Sequence, residues 1–160
     1  SKDNIDKLLF DALDAHSKNE YQKAIKIYSI IINKKPDNEI KSIIYNHRGM
    51  AHFILSKYIK AINDFSSAIK FNPNNYRAWN NRGMTYKLQH NYDKAFDDFN
   101  QSININSCQL DGYYNRALTY IDLENYLMAL EDCIKVLNIK PDFTPAQRLK
   151  TVIQSKIFDK

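Results

Sequence analysis

The chain has 160 residues, enough for one substantial core and, by length, one domain. Its residues are 44% apolar and 26% charged, as in an ordinary soluble protein, and three glycines with four prolines leave little material for β-turns. No apolar run reaches the roughly eighteen residues of a membrane span, the N-terminus lacks a leader core, and the net charge of +5 is scattered rather than gathered on one basic face.

The first stretch, SKDNIDKLLFDALDAH, is charged and amphipathic. It opens on serine, so the chain reads as a segment of a longer protein. With Tyr21, Ala24, Tyr28 and Pro36 it predicts a helical hairpin over 5–38. Residues 42–75, 76–109 and 110–143 then align without a gap at a period of 34. Tyr45, Trp79 and Tyr113 coincide, as do Arg48, Arg82 and Arg116, then Tyr58, Tyr92 and Tyr126, then Ala61, Ala95 and Ala129. Phe65, Phe99 and Cys133 share a position, and Pro73, Ser107 and Pro141 close the units. Pro36 and Pro73 lie 37 apart, so about three extra residues near Glu39–Lys41 lengthen the following helix or its entry.

Each unit predicts two amphipathic helices, roughly 76–89 and 92–105 in the clearest copy. Asn91 and Asn125 stand where a tight turn and a helix N-cap are needed. Pro36, Pro73 and Pro141 fall just past each second helix, where a helix must stop. Thr144 and Pro145 supply an N-cap and a first-turn proline for a last helix to about Phe158. Its Lys150, Gln154 and Lys156 give that helix a wet outer face, as a terminal cap requires.

The stretches YNHRGM and WNNRGM, at 45–50 and 79–84, set an arginine beside a helical glycine. Arg48, Arg82 and Arg116 each precede an aspartate by sixteen residues: Asp64, Asp98 and Asp132. In a helical hairpin those positions face each other, and the first unit, with Asp11 and Ile27 there, lacks both partners together. The pattern predicts structural ion pairs, partly buried and bidentate, rather than a phosphate site. No GxxxxGK or GxGxxG surrounds the glycines. Gly49 and Gly83, with Ala12 and Ala117 in equivalent places, are expected to let the second helix approach closely at Ala61, Ala95 and Ala129.

Aromatic, small residue and aromatic, then alanine, aromatic, alanine and proline at these offsets resemble the tetratricopeptide repeat (TPR) family over nearly the whole chain. The resemblance implies an all-α, right-handed superhelical solenoid of about nine helices in a single domain, 1–160. Its repeats would be 5–38, 42–75, 76–109 and 110–143, with a capping helix at 144–158 and first helices lining a concave groove. Ser107 for proline, Ala117 for glycine and Cys133 for an aromatic depart from the pattern.

The groove then takes the residues just before each arginine: Asn46 and His47, Asn80 and Asn81, Tyr114 and Asn115. One turn on come Met50, Met84 and Leu118, with Phe53 beyond and Arg77 near the lip. Asparagine amides both donate and accept, so they suit a peptide backbone, while methionine and phenylalanine offer adaptable apolar contact. Threading the two-carboxylate clamp of chaperone-tail adaptors gives Leu9, Leu13, His47, Arg77 and Asn81, or Asn46, Met50, Asn81, Asp111 and Asn115. Neither set is cationic enough for a terminal carboxylate. The expected function is therefore a non-enzymatic module that binds an extended peptide or a partner helix.

The alternative is a structural scaffold that associates with itself or with a larger assembly. RNA binding is disfavoured by dispersed charge, and residues 110–143 carry a net −3. Catalytic residues, cofactors, a metal, a small-molecule substrate and membrane association are not expected. His16, His47, His52 and His90 form no recognised catalytic or zinc motif. Cys108 and Cys133 make no disulfide framework, which points to a reducing, cytoplasmic setting.

Overall fold

The computed structural model describes residues 2–159. Among them lie nine α-helices and no strand. They are α1 (Lys2–Ser17), α2 (Tyr21–Asn33), α3 (Asn38–Ile54), α4 (Tyr58–Phe71), α5 (Tyr76–Leu88), α6 (Tyr92–Ile105), α7 (Leu110–Asp122), α8 (Tyr126–Ile139) and α9 (Thr144–Phe158). The all-α repeat fold is thus as the period implied. The extra residues before the second repeat lie in α3, which has 17 residues against 13 in α5 and α7. No helix is long and apolar enough to cross a membrane among the described residues.

Contacts gather into two compact units, residues 1–85 and 86–160. In the first, α1 packs on α2, α2 on α3 and α3 on α4. Its core includes Ala12, Ala15, Ala24, Tyr28, Ile31 and Ile44, and further along Ala61, Phe65 and Ala68 are fully buried. In the second, α6 packs on α7, α7 on α8 and α8 on α9. Ala117, Ala129, Cys133 and Ile153 form one buried cluster there, and Tyr113, Val136 and Ala146 another. The second helices bury equivalent positions: Ala61, Asp64, Phe65 and Ala68 on α4, and Ala129, Asp132, Cys133 and Val136 on α8. This three- and four-residue spacing is what turns the sequence period into a packed face.

Within each hairpin the turn passes through one left-handed residue, at Asn19, Ser56, His90 and Glu124, with φ of 61, 60, 58 and 56°. These positions are equivalent in the four hairpins, and none is glycine. A side chain held there costs about 1 kcal/mol, less for asparagine. Asn91 Oδ1 accepts from the Lys94 amide (3.5 Å) and Asn125 Oδ1 from the Met128 amide (3.4 Å), so both asparagines cap as expected.

Between hairpins a second device recurs. The Asn75 amide oxygen accepts from the Ala78 N–H (3.2 Å), and its nitrogen donates to Ser42 Oγ (2.9 Å). Gln109 does the same work one period later, accepting from the Gly112 N–H (3.0 Å) and donating to the Ser102 carbonyl (2.9 Å). Trp79, Tyr113 and Gln147 each donate to the carbonyl six residues earlier, at Pro73, Ser107 and Pro141, over 2.8, 3.1 and 2.8 Å. Each bond ties a helix start to its loop. The last helix departs from expectation at one point: Thr144 is not a side-chain cap. The Phe143 carbonyl accepts from the Ala146 and Gln147 amides instead, with Pro145 in the first turn as the sequence indicates.

Candidate functional site

The arginines of the repeats are held by side chains of the chain's own second helices. In the first unit Arg48 Nε and Nη2 donate to the two Asp64 oxygens, each at 2.8 Å, in a planar fork. The Asp64 side chain is 7% exposed and also lies 3.7 Å from His52 Nε2. Arg48 Nη1 donates to Ser29 Oγ (3.0 Å), and the guanidinium lies over the Tyr45 ring at 5.3 Å. In the second unit Arg116 repeats the arrangement with Asp132, at 2.8 Å for both bonds, with Asn100 Oδ1 (2.8 Å) and the Tyr113 ring (5.8 Å). Hydrogen bonding to the carboxylate raises the pKa of both guanidiniums. Arg82, in the first unit, donates to Ser66 Oγ (3.1 Å) and covers the Trp79 ring at 5.0 Å, while Asp98, in the second, is buried. Ser29, Ser66 and Asn100 are equivalent positions on α2, α4 and α6. Each of these arginines thus also reaches the second helix of the preceding hairpin, a contact the aligned repeats contained but spacing to the aspartates did not reveal.

The small residue beside Arg48 has a nearer neighbour than expected. A Cβ on Gly49 would lie 2.6 and 2.8 Å from the Phe65 ring and 3.2 Å from Asp64 Cβ. The close approach is therefore onto the aromatic of α4 and not chiefly onto Ala61.

Of the predicted binding residues in the first unit, Asn46, His47, Met50, Phe53, Asn81 and Met84 are half-buried and Arg77 is exposed. Asn80 is buried, at 4% exposure. Asn81 Nδ2 donates to Asn46 Oδ1 at 2.9 Å, so two of the expected amides first satisfy each other across α3 and α5. Phe53 meets Tyr58 edge-on at 5.6 Å. Arg77 carries its guanidinium over the Tyr76 ring at 5.3 Å.

His47 stacks on the Tyr28 ring at 5.9 Å, and His16 Nδ1 lies 3.3 Å from Tyr28 Oη. Burial lowers the pKa of both histidines, and His47 is lowered further by His16 and Arg77 nearby. Burial also pushes the Tyr28 phenol up to about 12. The sequence reading missed Phe10, which stands on α1 where His47 and Asn81 stand on α3 and α5. Its signal was the period itself, blurred by the three-residue insertion. Phe10 is 71% exposed.

In the second unit Tyr114, Asn115 and Leu118 are all half-buried on α7. Tyr114 meets Phe143 edge-on at 5.5 Å, and the Asn115 carbonyl accepts from Thr119 Oγ1 (2.7 Å). Lys87 lies 3.5 Å from Asp122, within the same unit. Cys133 is fully buried and its thiol is pushed up to about 11 by burial, whereas Cys108 is exposed.

Comparisons with known proteins agree with this architecture. Residues 42–75, 76–107 and 110–143 match models of the tetratricopeptide repeat. No curated protein matches the sequence. Among solved structures, a tetratricopeptide repeat protein from Parabacteroides merdae ATCC 43184 is 25% identical, with TM-score 0.79, over 95% of this chain and 59% of that one. YrrB, described as a TPR protein with an unusual peptide-binding site, is 23% identical with TM-score 0.74, over 88% of this chain and 71% of that one. The first TPR of Spaghetti (RPAP3), bound to the HSP90 peptide SRMEEVD, is 22% identical with TM-score 0.71, over 74% of this chain and 94% of that one. With three matched segments covering more than half of its length and two helices under each, the chain belongs to the tetratricopeptide repeat family.

Proposed function

We propose that the chain is a non-enzymatic protein-interaction module whose first helices bind an extended peptide or a partner helix. The observation that carries this reading is the surface of α3 and α5. The bonded Asn46–Asn81 amides keep a free donor and free acceptor lone pairs, and they lie beside half-buried Met50 and Met84 and exposed Arg77. Such a surface meets a peptide main chain through amides and its side chains through pliable thioethers. Two of the similar structures are described by a bound peptide or a peptide-binding site, which supports the same reading. The arginine–aspartate forks belong in this reading to the scaffold, because their hydrogen bonds go to the chain's own carboxylates.

We also assign residues 5–38 as a further, divergent repeat. In support, Asn19 takes the turn conformation of Ser56, His90 and Glu124, and Ser29 meets Arg48 as Ser66 meets Arg82. Residues 144–158 act as its closing cap, and Gln147 repeats the bond of Trp79 and Tyr113.

Peptide display against the purified chain tests the function. Selected peptides should lose most of their affinity for the Asn81→Ala and Met50→Ala variants, while the helical signal of each variant stays intact. Failure to select any peptide, or selected peptides indifferent to both changes, would refute the reading.

A further inference from the structure

The first unit presents three rows of equivalent positions on α1, α3 and α5: Asp6, Ile43 and Arg77; Phe10, His47 and Asn81; Leu13, Met50 and Met84. The rows are graded in chemistry. Toward α1 the face is apolar and uncovered, with Phe10 at 71%, Ile43 at 42% and Leu13 at 39% exposure. Large apolar side chains standing together at such exposure mark contact surfaces more often than scattered ones do. Toward α5 the face ends on Arg77, whose guanidinium rests on Tyr76 and pairs with no carboxylate among the described residues. Arg48, by contrast, is fully engaged by Asp64 and Ser29.

The unit that carries this face is basic in balance. Residues 1–85 hold 14 Lys and Arg against 8 Asp and Glu. Of the acids on α1, Asp14 is already paired with Lys18 at 2.9 Å, leaving Asp6 as the acidic member of the lip row. His47 adds no standing charge beside Arg77: burial, His16 and Arg77 all disfavour its protonation. An uncommitted guanidinium next to an uncharged imidazole is a receptor for a carboxylate.

Resting on the peptide-binding reading above, we propose that the occupant of this face is an acidic, apolar-anchored peptide segment, its apolar side chains against Phe10, Leu13 and Ile43 and an internal carboxylate on Arg77. The recognition requires side-chain carboxylates and no free C-terminus, because among the described residues of these three rows Arg77 is the single standing cation.

The test uses the whole chain and fluorescein-labelled, C-terminally amidated peptides read by anisotropy. One peptide carries two leucines a helical turn apart followed by an aspartate–glutamate pair, a second replaces the acids with lysines, and a third replaces the leucines with serines. The first should bind, and each of the others should bind roughly tenfold or more weakly. Arg77→Glu should reverse the preference between the acidic and basic peptides, and Phe10→Ser should weaken both leucine-bearing peptides while sparing the serine one, each variant with unchanged helical signal. Equal binding of acidic and basic peptides, or an acidic peptide indifferent to Arg77→Glu, would overturn the proposal. If those peptides still lose affinity for Asn81→Ala, the peptide-binding reading survives without it; if no peptide of either charge binds and display selects none, both fall.

Discussion

Residues 1–85 seat Arg48 on Asp64 with the Phe65 ring pressed against Gly49, whereas residues 86–160 seat Arg116 on Asp132 with Cys133 and Ala117 in the equivalent places. Ring and glycine in one unit become thiol and methyl in the other. The fork has the same 2.8 Å bonds in both, so the ion pair does not depend on how its neighbours fill the space. The alanine–cysteine pair is smaller than the glycine–phenylalanine pair sixteen residues apart, so the exchange is not one of equal volumes. Ala12 and Tyr28 occupy the same two positions in the first hairpin, both fully buried, so helix spacing shares in the adjustment. The units also differ in charge: 14 basic against 8 acidic side chains in the first, 9 against 10 in the second.

The largest expected effect tests whether the forks are equivalent. Asp64→Ala and Asp132→Ala each strand a part-buried guanidinium and should cost about 3–5 kcal/mol in urea unfolding. Similar losses would support a shared scaffold role, and a much smaller loss for one would separate the units. Gly49→Ala comes next. Its Cβ would collide with the Phe65 ring, so a loss of about 1–3 kcal/mol is expected, relieved in part when Phe65→Cys is added. A double-mutant cycle showing simple additivity would break the comparison between the Gly–Phe and Ala–Cys solutions.

How much of this was legible in the sequence varies by position. The period placed the helices, the asparagine caps and the aspartate partners of Arg48 and Arg116, because each depends on local spacing. Asn80 is buried while Asn81 beside it is half-buried, because each step along a helix turns the side chain through about 100°, a difference the paired asparagines do not show in the sequence. The Asn46–Asn81 bond joins residues 35 apart, and spacing alone does not say whether two amides bond to each other or to a ligand. Phe10 was overlooked because its hairpin lacks the arginine that flags the other three copies and is set off by the three-residue insertion. The left-handed turn residues left no signal, since none of Asn19, Ser56, His90 and Glu124 is glycine.

Those turns give a smaller prediction that applies to both units. Ser56→Gly in the first and Glu124→Gly in the second should each gain about 0.5–1 kcal/mol, read as a higher melting temperature. A loss in either would mean that the replaced side chain makes contacts worth more than the strain it carries. The smallest effect is acid sensitivity. His16, His47 and His52, all in the first unit, have pKa values lowered chiefly by burial. Below about pH 6.5 the unfolded chain takes up protons first, so stability held at neutral pH declines as the pH falls through that value. Amide exchange at pH 7 and pH 5.5 should therefore show greater loss of protection across α1–α3 than across α7–α9; equal loss would remove this contrast.

The backward reach of the arginines has a consequence for chain length. Arg48 and Arg82 each find a serine on the preceding hairpin and Arg116 an asparagine, so the seam asks only for a short side chain with an oxygen acceptor. Excising one whole period, residues 42–75, would bring Ser29 into line with Arg82 in the place Ser66 vacates. The arginine contact at such a joint would then find the same kind of acceptor as before.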